Sequence, residues 1–263
     1  MESESVVSVE SPIPLFPTVP GAAPVVSEGH STWMERAPHK RLMLFTGRSN
    51  PELGAKISKH LGIELGQAML KTFTNGEVYV RYEESIRGAD MFIVQSCSSP
   101  TNDSLMELLI MINAARLASA KRITAVMPWF PYSRQDKKSA PREPITSKLV
   151  ADMLEAAGAD RVLTMDLHAG QLQGFFKIPV DHMTAVPLLA DHFRLLVGDI
   201  PPENTVVVSG DAGRAKLAKK FSEMLGAGLA LITKERPEQQ MAEVTNVIGR
   251  VLPDERNAGC LER

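Results

Sequence analysis

From Lys40 onward the chain alternates short apolar runs with amphipathic stretches, and that rhythm narrows its fold more than any other feature. LMLFTG, Leu42–Gly47, predicts a buried strand, and Asn50 followed by Pro51 predicts a capped helix start. Val78–Tyr82 and Met91–Gln95 read as strands. Asn102 opens a long helix in which Leu105, Leu108, Leu109 and Ile112 fall on one face. Arg122–Met127 reads as a strand, Thr146–Ala157 as a helix stopped by Gly158, and Arg161–Met165 as a further strand. After a helix over Pro187–Leu196, the order strand, helix, strand recurs over Thr205–Ser209, Gly213–Leu225 and Leu229–Thr233. This order predicts an α/β protein with mainly parallel sheets covered by helices on both faces. The length suits two such units, 39–184 and 185–263, divided near Val180–Ala185. Residues 1–38, rich in Ser, Val, Pro and Glu without a sustained period, are expected to form a disordered extension.

Composition excludes several classes. The formal net charge is −2, with five Glu against one Arg in residues 1–38, so no basic footprint for nucleic acid stands out. Two cysteines, Cys97 and Cys260, cannot form a disulfide framework, and a reducing cytoplasm is the expected setting. No apolar run approaches the ~20 residues of a membrane span. The acidic, proline-broken start is unlike a signal peptide.

In open α/β sheets ligands bind beyond the carboxyl ends of strands, and most of the chemistry-bearing clusters sit there. FTNGE, Phe73–Glu77, precedes a strand. Its Asn-Gly pair is a turn signal, while an exposed aromatic beside Asn and Glu could also stack on a base. PWFPYSRQDKK, Pro128–Lys138, follows a strand and brings Arg134, Gln135, Asp136, Lys137 and Lys138, a run that is either a solvated face or a polyphosphate site. TMDLHAGQLQGFF, Thr164–Phe176, carries Asp166 and His168, which share a face if the segment is extended. A structural histidine and a metal or proton-transfer role both remain open there, a histidine being atypical for Mg²⁺. VVVSGDAG, Val206–Gly213, presents Asp211 either as a helix cap or as a carboxylate aimed at a metal or ribose. It is not a Walker loop. LITKERPEQQ places Lys234 and Arg236 beyond an expected strand end, in a polar segment read either as an ordinary exposed loop or as a mobile one that closes on a phosphoryl group.

Taken together and in this order, the clusters resemble the ribose-phosphate pyrophosphokinase (PRPP synthetase) family from about Arg41 to Gly249, most specifically in DLHAGQLQGFFKIPVD, Asp166–Asp181. The resemblance implies two phosphoribosyltransferase-like, Rossmann-like domains. It further implies transfer of the β,γ-diphosphoryl group of ATP to ribose 5-phosphate, giving PRPP and AMP. By the same resemblance Phe73, Asn75, Gly76 and Glu77 form an ATP-binding loop lent by a neighbouring subunit, and Arg134 and Gln135 contact ATP. His168 is associated with Mg·ATP and Asp211 with Mg²⁺. Lys234 and Arg236 are the catalytic pair, Arg236 also meeting ribose 5-phosphate. Homo-oligomers built from dimers into hexamers, with phosphate and ADP as effectors, are implied as well.

Two departures qualify the resemblance. Gly210 stands where the family has proline, which loosens the turn that aims Asp211. After EVTNVIG, Glu243–Gly249, the family continues with a strand and a sugar-phosphate loop of the form DDxxxTxGT, whereas this chain reads RVLPDERNAGCLER. The second domain is therefore expected to be incomplete, and catalytic competence to suffer. A non-catalytic regulatory subunit resembling PRPP synthetase-associated proteins is the alternative. A phosphoribosyltransferase, which shares the fold, has no positive sequence support.

Overall fold

The computed structural model describes residues 41–198, 200–238 and 241–249. Five parallel strands form the main sheet: β1 (Leu42–Thr46), β4 (Asp90–Val94), β5 (Arg122–Met127), β6 (Arg161–Met165) and β7 (Val180–Met183), in the order β1-β4-β5-β6-β7. Strand alternation divides their side chains between two layers. Met43 and Phe45 of β1, Met91 and Ile93 of β4, and Ile123 and Met127 of β5 pack with α2 (Thr101–Leu117) and α3 (Thr146–Ala157). Leu44, Val94 and Val126 turn to the other face, where Leu53 and Ile57 of α1 (Pro51–Leu61) cover them. Leu105, Leu108 and Ile112 of α2 are buried and Leu109 partly so, as their spacing predicts.

The helix ends follow local chemistry. Asn50 Oδ1 accepts from the backbone N of Leu53 at 3.1 Å, with Pro51 at the first position. Gly158 ends α3 at φ 116°, and a Cβ there would lie 2.4 Å from Cδ of Arg116, so both conformation and space require glycine.

Three strands were not foreseen. A short AMLKT run forms β2 (Ala68–Thr72), paired antiparallel with β3 (Val78–Tyr82) in a separate two-stranded sheet. Tyr82 fastens this hairpin to the core through its hydroxyl, which donates to the carbonyl of Met111 at 2.8 Å, and its ring edge against Phe45. Strand β7 falls where the boundary between units was expected, and its pairing with β6 puts it in the first sheet. The third is β10 (Met241–Gly249).

The second sheet runs β10-β9-β8, with β8 (Val206–Ser209) parallel to β9 (Gly228–Glu238) and β10 antiparallel to it. Expecting mainly parallel pairing was right for the first sheet and only half right here. Val186 and Ala190 of α4 (Val186–Val197), Val207 of β8 and Phe221 of α5 (Ala215–Leu225) make its small core. Strand β9 also runs five residues beyond Thr233, where a loop was expected. Its charged segment pairs with β10 through two register shifts, one of which spans Pro237, a residue with no N–H for a ladder.

One buried polar network fixes the backbone just after β1. Glu107 is 3% exposed and accepts from the backbone N of Arg48 at 2.7 Å and from its Nε at 2.5 Å. Gln95 donates to Glu107 at 3.0 Å and to the carbonyl of Ser104 at 3.1 Å, and accepts from the Ser49 hydroxyl at 2.8 Å. No helix among the described residues is long and apolar enough to cross a membrane.

Candidate functional site

Because β4 to β7 are parallel, the segments following β5, β6 and β7 leave the sheet at one edge. After β6 the backbone turns sharply at Asp166, whose φ is +44°. Asp166 and His168 are therefore not consecutive same-face residues of an extended segment, as their spacing suggested. Asp166 is committed to architecture: its carboxylate accepts from the Thr184 hydroxyl at 2.7 Å and the Ala185 N at 3.0 Å, tying β6 to the entry of α4. His168 is exposed.

The segment after β5 is stiffened by contacts at Gln135. Its carbonyl accepts from the Ser147 N at 3.2 Å and the Ser147 hydroxyl at 2.8 Å, capping α3 from outside, and its side-chain oxygen accepts from Thr146. With that oxygen occupied, the Gln135 amide presents N–H donors. Asp136 accepts from Gln171 at 3.3 Å, linking this loop to the one that carries His168. Farther along, Glu143 accepts from the backbone N of Ser139 at 2.7 Å and of Ala140 at 2.8 Å, and these bonds hold its carboxyl below the ordinary value of 4.5. Arg134, Lys137 and Lys138 are exposed and make no ion pair among the described residues. Three cations without carboxylate partners on one braced loop favour an anion as their partner.

Asp211 follows β8, and it does cap a helical turn: Oδ1 accepts from the Arg214 N at 2.9 Å. The expected helix from Gly213 begins as a 3₁₀ turn over Ala212–Arg214 before α5. Capping uses one carboxylate oxygen, and the other has no hydrogen-bond partner among the described residues. Arg214, which no sequence pattern singled out, approaches His168: Nη2 lies 3.5 Å from Nδ1. A single residue thus meets both predicted metal-associated positions, His168 with its side chain and Asp211 with its backbone. Only the basic type of Arg214, three residues after Asp211, could have signalled it in the sequence.

Phe73–Glu77 forms the β2–β3 turn. Gly76, at φ 91°, donates to the carbonyl of Phe73 at 2.9 Å, and Asn75 Oδ1 accepts from the Glu77 N at 3.2 Å. Phe73 is 52% exposed and touches Tyr79 edge-on. The turn reading holds for Asn75 and Gly76, and the exposed ring is free to stack. Lys234 and Arg236 lie within β9 rather than beyond it, Lys234 opposite Val244. No group of three or more His, Cys, Asp or Glu among the described residues could hold a metal alone.

Residues 42–158 match the model of the N-terminal domain of ribose phosphate pyrophosphokinase. A ribose-phosphate pyrophosphokinase of Clostridium perfringens is 53% identical over 212 residues, 81% of this chain and 66% of that protein. One from Corynebacterium efficiens is 48% identical over 230 residues, 87% of this chain and 69% of that protein. The crystal structure of phosphoribosylpyrophosphate synthetase from Mycobacterium smegmatis superposes with a TM-score of 0.72 at 48% identity, covering 79% of this chain and 67% of that one. The chain spans about two thirds of the length of the curated relatives it matches.

Proposed function

Because the chain belongs to the ribose-phosphate pyrophosphokinase family, we propose that it transfers the β,γ-diphosphoryl group of ATP to the 1-hydroxyl of ribose 5-phosphate. The sugar oxygen attacks Pβ, the bond from Pβ to the α,β-bridging oxygen breaks with its electron pair leaving on AMP, and the hydroxyl proton is released. The observation that carries this reading is the braced loop whose Arg134, Lys137 and Lys138 make no ion pair among the described residues, joined through Asp136 and Gln171 to the His168 segment. Such a transfer needs positioning and charge neutralisation more than covalent chemistry.

In this reading Arg134 and Gln135 hold the polyphosphate, and Phe73, Asn75, Gly76 and Glu77 receive the adenine of a neighbouring subunit's nucleotide. Lys234 and Arg236 offset charge on the bridging oxygen, Arg236 meeting the sugar phosphate too. A Mg²⁺ ion would clamp the phosphates. Mg²⁺ takes oxygen ligands and keeps waters, so the unoccupied carboxylate oxygen of Asp211 suits it with phosphate oxygens completing the shell. His168, assigned with Asp211 to the metal by resemblance, approaches the side chain of Arg214, whose backbone N–H donates to Asp211. The reading also carries two phosphoribosyltransferase-like domains (39–184 and 185–263), dimers assembling into hexamers, phosphate and ADP as effectors, and a cytoplasmic setting.

The test is kinetic. Lys234→Ala should lower kcat by ~10²–10³-fold while leaving ATP affinity nearly unchanged, since its contact would strengthen only as charge develops. Equal losses in turnover and ATP binding would contradict that role.

A further inference from the structure

The ladder between β6 and β7 ends at Asp166, whose backbone N–H donates to the carbonyl of Met183 at 2.9 Å. Asp166 then leaves the strand at φ +44°, and the next backbone N–H, that of Leu167, turns away from the ladder. Leu167 is 7% exposed with its side chain in the main core, and a buried N–H without an acceptor is costly. His182 supplies that acceptor from a side chain: its Nε2 accepts from the Leu167 N–H at 3.0 Å. A backbone N–H can only donate, so the roles in this bond are fixed. Nε2 holds the lone pair, and the proton of the neutral ring lies on Nδ1. His182 stands on β7 opposite Thr164 of β6, just before Met183 and Thr184, which both hold Asp166. The end of one strand thus grips two consecutive residues of the turn, and the residue that follows them is the exposed His168.

We propose that His182 is a positioning residue for the diphosphoryl transfer, acting through Leu167 to fix the backbone from which His168 projects. The proposal rests on the nucleotide reading above for its kinetic consequence and adds a residue outside the set named there. Leu167 is held twice, by its buried side chain and by its amide, so the peptide joining it to Asp166 cannot rotate. That lock matters because Asp166 occupies a backbone region that is unfavourable for a non-glycine residue and persists only where its surroundings over-determine it. Without the imidazole acceptor the peptide is free to turn, and His168 turns with it. The 3₁₀ turn over Gly170–Phe175, anchored by buried Leu172, starts too late in the chain to restore its direction.

The experiment compares the full chain with His182→Phe, which keeps a ring and removes the acceptor, and with His182→Gln, whose Oε1 stands as many bonds from Cβ as Nε2 does. Amide exchange at Leu167 should quicken ~10-fold in His182→Phe and stay near wild type in His182→Gln. The imidazole ¹⁵N spectrum of wild-type protein should show Nε2 of His182 without a proton. In steady-state assays with Mg²⁺, His182→Phe should raise KM for ATP ~5–10-fold, the worth of one hydrogen bond, and leave KM for ribose 5-phosphate within about twofold. His182→Gln should restore KM for ATP. Equal rises in both KM values, absence of rescue by glutamine, unchanged Leu167 exchange in His182→Phe or a protonated Nε2 would each overturn the proposal. The wild-type spectrum and His182→Gln decide it if His182→Phe does not fold. A wild-type protein that yields no AMP would instead sink the nucleotide reading, and Leu167 exchange would still show whether the imidazole holds the turn.

Discussion

Glu107 sits beneath the backbone that follows β1, with its carboxylate shared between Arg48 and Gln95 and almost no solvent. Removing one partner from a buried charged network leaves the others unsatisfied. Glu107→Ala should therefore cost ~3–5 kcal/mol of stability, read from urea midpoints, while Glu107→Gln should cost clearly less. Comparable losses for both would mean that volume, not charge and hydrogen bonding, matters at this position. None of this was legible in the sequence, where Glu107 is one more charged residue on a long helix. Asp211 was half legible. Its capping role follows from an acid before a helix, but that the cap would leave one oxygen unused needed coordinates. Asp166 misled, because a positive φ at a non-glycine residue breaks the alternation on which same-face arguments rest.

Among the elements, those set by long apolar periods were readable nearly to the residue: β5, β6 and α3 occupy the spans their patterns predict. Elements that depend on a distant partner were not. Strand β2 is short and half-exposed, and the outer half of β9 is charged; each is a strand because a neighbour pairs with it. The basic loop after β5 holds its shape through a few specific bonds, and the pair from Ser139 and Ala140 to Glu143 is the exposed end of that bracing. The depressed carboxyl fixes the sign of its pH dependence. Bracing is present above the ordinary carboxylate value of 4.5 and is lost as pH falls through the lower folded value. Amide-exchange protection at Ser139 and Ala140 should fall on acidification through that range, and at neutral pH in Glu143→Ala. Protection that survives both changes would remove Glu143 from the account of the loop.

At the scale of the whole molecule, the segments after β6 and β8 approach each other where Arg214 Nη2 lies 3.5 Å from His168 Nδ1. The proposed diphosphoryl transfer would draw on both halves of the chain, whose α/β architecture was apparent from the rhythm of its elements alone. The measurement that bears most directly on this reading follows phosphorus. Protein, Mg²⁺, ribose 5-phosphate and ATP carrying ¹⁸O on the non-bridging β-phosphoryl oxygens are followed by ³¹P spectroscopy. The account predicts AMP in one-to-one ratio with a sugar diphosphate that holds the label, and loss of both products when Arg134 is replaced by Ala. Release of ADP with the label still on it, or ATP left intact at saturating ribose 5-phosphate, would contradict it.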